Sequence, residues 1–365
     1  MPEHAELTRR LADLIVGYGA NVQPGQIVGV TTYVGKEALT REVTRAAYER
    51  GARWVDVTIF DPWLKRERLL HADAATLDYI PPWMTERLEW LSDERAARIA
   101  LNGPASPDAL DGIDPSRAGR DILPYLPNTG DVVNRATTNW CVAPAPSPGW
   151  AGLVFPELER DEAFDRLWEA IAHICRLDEA DPEEAWRARA ATLEGAAARV
   201  TERRFDAIRL HGPGTDLTVG LFPSSVWHAA DFTTVDGLRH FPNIPSEEMF
   251  TTPDPLRVDG HVTATRPLEV YGALMDGIRV EFEAGRAVKI DADRGADTLL
   301  DENAASHIAL GSGYDLGVDA VADRARVNKS RIHVDFMIGS PELDVDGLTR
   351  DGQSVPLLRA GAWQV

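Results

Sequence analysis

The sequence predicts a two-part chain, an N-terminal α/β domain built on a parallel sheet and a C-terminal mixed α+β domain that is rich in strands and barrel-like. Three observations carry this reading. At 365 residues the chain is longer than one ordinary hydrophobic core sustains. Residues 26–60 run strand, helix, strand, the order of a parallel α/β layer. Beyond about residue 200, long helical patterns give way to short alternating runs split by Gly and Pro. The expected domains are therefore residues 1–200 and 201–365.

The elements follow in order. Residues 7–19 place apolar side chains at helical spacing and end in Gly-Ala-Asn, a helix stop. QIVGVT, residues 26–31, reads as a buried strand. Residues 35–51 form a helix with Leu39, Val43, Ala46 and Ala47 on one side, and residues 54–60 return as a strand. No G-x-G-x-x-G joins the first strand to the helix, so the dinucleotide fingerprint is absent. Residues 102–148, rich in Pro, Asp and Asn, read as loops and short elements. Residues 161–176 and 182–204 are helical, and the domain join falls near the end of the second. DAIRLHG, TDLTVGL, SVWHAA and the run from Pro267 to Ala292 then read as hairpin strands of the second domain.

Composition narrows the function. A formal charge of −20 repels the phosphate backbone, which excludes nucleic acid as an expected partner. No run approaches the roughly 18 apolar residues of a membrane span, and residues 1–19 lack an apolar signal core, so a cytoplasmic protein is expected. Cys141 and Cys175 are too few and too far apart for a disulfide framework or a thiolate metal site, and read as buried thiols. The tryptophans, among them Trp63, Trp83, Trp140, Trp150 and Trp186, read as core or subunit contacts.

Three segments carry candidate chemistry. In RIHVDFMIGS, a strand puts side chains i and i+2 on one face, so His333 and Asp335 present an imidazole beside a carboxylate. That pair suits zinc, cobalt or manganese, although H-x-D alone equally serves as a hydrogen-bonding pair. In LDENAASHIALGSGY, Asp301 or Asn303 caps a helix expected over AASHIAL, with Glu302 at its mouth and His307 further along. Five residues turn about 140° around a helix, so Glu302 and His307 meet at one ion only if Glu302 precedes the regular helix. A cap and a core histidine are the plainer reading. In NIPSEEMF, the adjacent carboxylates Glu247 and Glu248 point apart on an extended segment, so one of them can be a ligand.

Taken together and in this order, with VDGL at residues 345–348 and a final GAW, these segments resemble the thermophilic metallopeptidase family of aminopeptidase T and aminopeptidase S. NWCVAPAPSPGWA, WEAIAHICRLDEADPEEAW and RFDAIRLHGPGTDLTVGL extend the likeness over nearly the whole chain. The resemblance implies a cytosolic, metal-dependent exopeptidase, generally a homodimer, that removes N-terminal residues from peptides with a free N-terminus. It implies a metal site in the C-terminal domain with Glu248, Glu302, His307, His333 and Asp335 as ligands, and two divalent ions per chain, zinc, cobalt or manganese. Tyr314 matches the tyrosine that assists catalysis, and a nearby carboxylate, Glu247 or Glu302, is the candidate for moving a proton from water to the leaving amine. His211, in LHGPGTD, is a further candidate for the cleft.

One departure stands out. The family carries a few dozen further residues before the DENA motif, including a Gly-Glu-Val-Ala-Leu motif whose glutamate is expected to bridge the two ions. Here RGADTL runs directly into LDENAASH and no such motif occurs. Either the protein lacks this segment or the sequence omits it. A metallo-aminopeptidase is the leading expectation. A peptidase-like binding or assembly protein that has lost turnover, and a hydrolase of another amide, are the alternatives.

Overall fold

The computed structural model describes residues 4–229, 231–270, 273–293, 307–330 and 333–365. They divide into two compact units: residues 1–189 with 230–246 and 271–273, and residues 190–229 with 247–270 and 274–365. The change of unit at Ala190 falls inside one continuous helix, Pro182–Glu202, and the segment 230–246 returns to the first unit. A boundary drawn at 200 marks where helical pattern ends in sequence, whereas packing changes partner half-way along the helix.

The first unit is built on a parallel sheet of β1 (Ile27–Tyr33), β2 (Trp54–Phe60), β3 (Ala97–Asn102) and β4 (Asn139–Pro144) in the order β2-β1-β3-β4. Strand β1 is central, and Ile27 to Val30 are all buried, as expected for a parallel strand covered on both faces. The helix Glu37–Glu49 makes the crossover to β2 and buries Leu39, Val43, Ala46 and Ala47. The next helix, Pro62–His71, starts where the Asp61 carboxylate accepts from the Trp63 amide at 2.9 Å and Pro62 fixes the first turn. The first helix, His4–Leu14, continues into a wider π-helical turn, Ile15–Gly19, before the chain enters the sheet.

Strand β4 lies inside the stretch 102–148 that reads as loops and short elements in sequence. Its NWCVAP run is short and flanked by polar residues and Pro, yet alternate residues Asn139, Cys141 and Ala143 are buried, and pairing with β3 fixes it. Val142 also bonds to the returning segment, donating to the Pro242 carbonyl at 2.6 Å and accepting from Ile244 at 2.9 Å. Trp186, fully buried, donates its indole N–H to the Cys175 carbonyl at 3.1 Å and packs against Phe241, with ring centroids 5.5 Å apart. Trp186→Phe removes that buried hydrogen bond and shrinks a fully buried ring, so unfolding by urea is expected to show a loss of about 1–2 kcal/mol. Trp150 and Trp186 are core residues, while Trp63 and Trp83 are 46% and 61% exposed.

The short strands β7 (Phe232–Thr233) and β8 (Arg239–His240) pair within the returning segment.

The second unit holds a nine-stranded sheet, antiparallel in its described ladders. Its strands are β5 (Ala207–Gly212), β6 (Thr215–Leu221), β9 (Pro253–Thr263), β10 (Leu268–Val270), β11 (Ala273–Glu283), β12 (Arg286–Asp293), β15 (Asp344–Leu348), β16 (Ser354–Arg359) and β17 (Ala362–Trp363). The path is β10-β11-β9-β6-β5-β15-β16-β17, with β12 on β11, and among the described residues no ladder joins β10 to β17. The β11–β12 hairpin turns through Ala284 and Gly285, both at positive φ. Gly285 has no substitute there, since a Cβ would stand 1.7 Å from the Pro255 carbonyl oxygen. Among the described residues no helix is long and apolar enough to cross a membrane.

Beside this sheet, β13 (His307–Gly311) and β14 (His333–Met337) form a separate antiparallel pair. The helix expected over AASHIAL is thus a strand from His307 onward. Ala and Leu are good helix formers, but propensity is a weak prior beside tertiary pairing, and the ladder to β14 overrides it.

Candidate metal centre

The β13–β14 ladder decides which candidate residues meet. Ala309 lies opposite Asp335, and His307, two residues before Ala309, shares its face of the ribbon. The neighbouring Phe336 points the other way and is 1% exposed, which anchors β14 in the core and leaves Asp335 on the open face. His307 and Asp335 are consequently diagonal neighbours, with Nε2 to Oδ1 at 3.8 Å.

Glu248 completes this group from a different part of the chain. Phe250 and His228 exchange backbone hydrogen bonds at 2.9 and 3.0 Å, which holds the end of the NIPSEEMF segment extended. Met249 is buried, and Glu248, one residue away on the opposite side, brings Oε2 to 3.5 Å from His307 Nε2. The three side chains are 30–42% exposed, so the group is open to small molecules in solution.

The spacing bears on what these groups hold. Charge-assisted N–H···O bonds close to about 2.7–2.9 Å, shorter than either contact here. Ligand atoms sharing one ion at bonds of about 2.1 Å and tetrahedral angles stand about 3.4 Å apart. The 3.5 and 3.8 Å separations are near that second value. Two carboxylates and an imidazole are also the donor set of a borderline divalent ion. Among the described residues no group of three or more His, Cys, Asp or Glu side chains is gathered closely enough to hold a metal ion. Glu302 lies outside the described residues. His333 sits in β14 opposite Gly311, and its side chain also lies outside what is described.

Tyr314 packs against the end of the NIPSEEMF segment and the residues that follow it. Its carbonyl accepts from the Thr252 hydroxyl at 2.6 Å, and its ring stands edge-on to Phe250, with centroids 6.2 Å apart. Gly317 fits against Thr252 because a Cβ there would meet the hydroxyl at 2.5 Å. His228 fastens the same loop, its Nε2 lying 2.8 Å from the Leu316 carbonyl while its ring packs on Phe250 at 5.9 Å. Sequence reasoning passes over His228 and Thr252, which carry no motif. Their role arises only from packing between segments far apart in the chain. Glu247 adjoins Glu248 and is partly exposed.

His211 goes elsewhere. Its Nε2 lies 3.1 Å from Asp346, which Arg359 also pairs with, inside the large sheet. Burial pushes the Asp346 carboxyl up, but the Arg359 and His211 hydrogen bonds outweigh it and hold the group below the usual carboxylate range. This network ties β5, β15 and β16 together and gives His211 a structural role.

A parallel α/β unit and a β-rich unit displaying clustered carboxylates and imidazole describe a metal-dependent hydrolase. The sequence pattern of the family described as thermophilic metalloprotease (M29) matches residues 4–299 and again 296–363, and the chain belongs to that family. It is 37% identical to aminopeptidase T of Thermus aquaticus over 410 aligned positions spanning 100% of both chains, and 34% identical to aminopeptidase PepS of Streptococcus thermophilus over 412. Its fold is similar to that of wild-type AmpT from Thermus thermophilus, with a TM-score of 0.84, 37% identity, and coverage of 98% and 99% of the two chains. The alignment to the Thermus aquaticus protein uses 410 positions against 365 residues, so at least 45 positions have no counterpart here. The family match breaks at residues 296–299, just before the DENA motif.

Proposed function

We propose that the protein is a metal-dependent aminopeptidase that hydrolyses N-terminal residues from peptides with a free N-terminus. The observation that carries this reading is the convergence of Glu248, His307 and Asp335, three segments distant in sequence, in a chain of the metalloprotease family. Glu248, His307 and Asp335, with Glu302 and His333, hold the metal. All five fall in the C-terminal part, residues 201–365, read here as a barrel-like metallopeptidase domain beside an N-terminal part of residues 1–200. Zinc, cobalt or manganese suits these donors, two ions per chain, in a cytoplasmic homodimer.

Bound divalent metal supplies Lewis acidity toward the scissile carbonyl and acidifies water near neutral pH. The chain's own groups do the rest. Tyr314 donates its phenol hydrogen to the oxyanion that develops on the carbonyl, and the Thr252 and Phe250 contacts fix its position beforehand. Glu247 moves a proton from the attacking water to the leaving amine. Tyr314→Phe keeps the ring and removes the donor, so kcat is expected to fall by about 10–100-fold with KM little changed. Steady-state kinetics on an unblocked dipeptide check this.

The break at residues 296–299 favours a second reading, a peptidase-like binding or assembly protein impaired in turnover. Without a bridging carboxylate, two dications a few ångströms apart repel each other with less compensation. Metal analysis of the reconstituted protein separates the two readings. Two ions per chain fit the aminopeptidase, and fewer than one, with no turnover, selects the impaired protein.

A further inference from the structure

The parallel sheet of the first unit has two unlike faces. Strands β1 and β3 are its inner strands, and on one face Val28, Val30, Thr32, Ala97, Ile99 and Leu101 are all buried. The other face is covered only in part. There the register sets Asp56, Gly29, Arg98 and Trp140 in one row. The helix Pro82–Asp93 lies over one end of that row, with Leu91 so close that a Cβ on Gly29 would meet it at 2.9 Å, and Arg87 donating to Asp56 at 2.7 Å. Phe232 and His240 pack on Trp140 at the other end. Toward the carboxyl ends of the strands, Thr31 and Ala100 in the next row, then Tyr33 and Phe60, stay half-exposed. Inner strands of a parallel sheet are ordinarily covered on both faces, so this opening is a departure.

Arg98 stands in the middle of this face with its charge unanswered. Among the described residues no carboxylate pairs with it, and its ionisable neighbours are Arg87, which opposes its charge, and the phenol of Tyr125. Arg87 is itself matched by Asp56. Burial pushes the Arg98 guanidinium down to about 10 from the ordinary 12.5, since no acceptor on the chain offsets the loss of water around it. The order of strands also turns here, because β1 crosses to β2 on one side while β3 lies on the other. In open parallel sheets such a switch point, at the carboxyl ends of the strands, is where ligands bind.

We propose that Arg98, with the Thr31 hydroxyl on the neighbouring strand, binds the carboxylate of a small organic acid whose apolar body lies against Tyr33 and Phe60. A guanidinium matches a carboxylate through two parallel N–H···O bonds, and these donors are unspent in Arg98. The two rings stand together, with centroids 6.4 Å apart, and offer an apolar wall beside it. Only one cation is available to the ligand. Arg87 is paired, and Lys36, beside Tyr33, donates to the Leu101 and Gly103 carbonyls at 3.2 and 2.5 Å. A single positive charge suits a monoanion and leaves a phosphate dianion under-neutralised.

All of these residues belong to the first unit, so the outcome of the test leaves the metal-centre reading untouched. The probe is N-acetylphenylalanine, a carboxylate on an aromatic body with no free amine to be hydrolysed, titrated calorimetrically into the full-length, metal-reconstituted protein. N-acetylphenylalaninamide, which lacks the carboxylate, and inorganic phosphate are the controls. The wild type is expected to bind the acid saturably and both controls more weakly. Arg98→Met keeps the stem and removes the fork, so it is expected to bind the acid about 10–100-fold more weakly. Because the charge is unpaired in the free protein, Arg98→Met is also expected to melt no lower than the wild type. No binding by the wild type, or undiminished binding by Arg98→Met, overturns the proposal, the second because the carboxylate is then held elsewhere. Equal binding of the amide, or tighter binding of phosphate, overturns the assigned ligand class. A lower melting temperature for Arg98→Met would show the guanidinium holding the fold in place of a ligand, and the proposal falls then too.

Discussion

His307→Ala or Asp335→Ala is expected to lower turnover of an unblocked peptide on the order of a thousandfold, equivalent to about 4 kcal/mol of transition-state stabilisation. His307 lies between the two carboxylates, 3.5 Å from Glu248 and 3.8 Å from Asp335, so its loss removes the donor between them. Asp335 is the donor fixed most rigidly by the fold, because Phe336 beside it is locked in the core. Both side chains are partly exposed, so neither substitution opens a core cavity, and unfolding midpoints of the metal-free proteins should stay within a few degrees. Metal content should fall in parallel with rate. Equal metal retention with lost rate would assign these groups a role other than holding the ion.

Acid is expected to destabilise the first unit through His240. This imidazole is buried between Trp140 and Phe232, with centroids 6.0 and 6.1 Å away, and no hydrogen bond of good geometry reaches either ring nitrogen. Burial, only partly opposed by the Leu238 backbone and the Asp231 carboxylate, pushes the group down to about 4 from the ordinary 6.5. The folded state therefore keeps His240 neutral where the unfolded chain has protonated it. The unfolded state binds more protons between these two values, so this contribution is intact above about pH 6.5 and is lost progressively as pH falls toward 4. The full loss is about 3 kcal/mol. Urea unfolding at pH 7 and pH 4.5 should show it, over and above the acid loss common to all carboxylates. His240→Phe keeps an aromatic ring in the same box without a titrating group, and the difference between the two proteins should shrink by that amount. An unchanged difference would mean that the folded protein admits the imidazolium.

The sequence reveals this fold where chemistry repeats locally. Strand β1 and its following helix are legible because Ile27 to Val30 form an unbroken apolar run and Leu39, Val43 and Ala46 repeat at helical spacing. Strand β4 is less so, since the short apolar run WCVA sits among Pro, Asn and Thr in a loop-like stretch and is fixed as a strand by its ladder to β3. The same contrast divides the site. The two-residue step from His333 to Asp335 reads directly as one strand face, whereas HIAL, read as part of a helix, is a strand because β14 runs beside it. That error mattered, because the helix places His307 by a rotation of 100° per residue and the strand places it diagonal to Asp335. The closeness of Glu248 to His307 has no local signal at all. It became legible only as one of three ordered segments that resemble a known family. His228 and Thr252 escaped altogether, since positioning a loop requires no distinctive residue type.

The most direct test is hydrolysis by protein dialysed free of metal and then reconstituted with zinc, cobalt or manganese. Offered matched short peptides with free and N-acetylated termini, it should release the N-terminal amino acid from the free-amine peptide alone, and only after metal is restored. No release from the free-amine peptide with metal bound, or equal cleavage of the acetylated one, would contradict the assignment as a metal-dependent aminopeptidase.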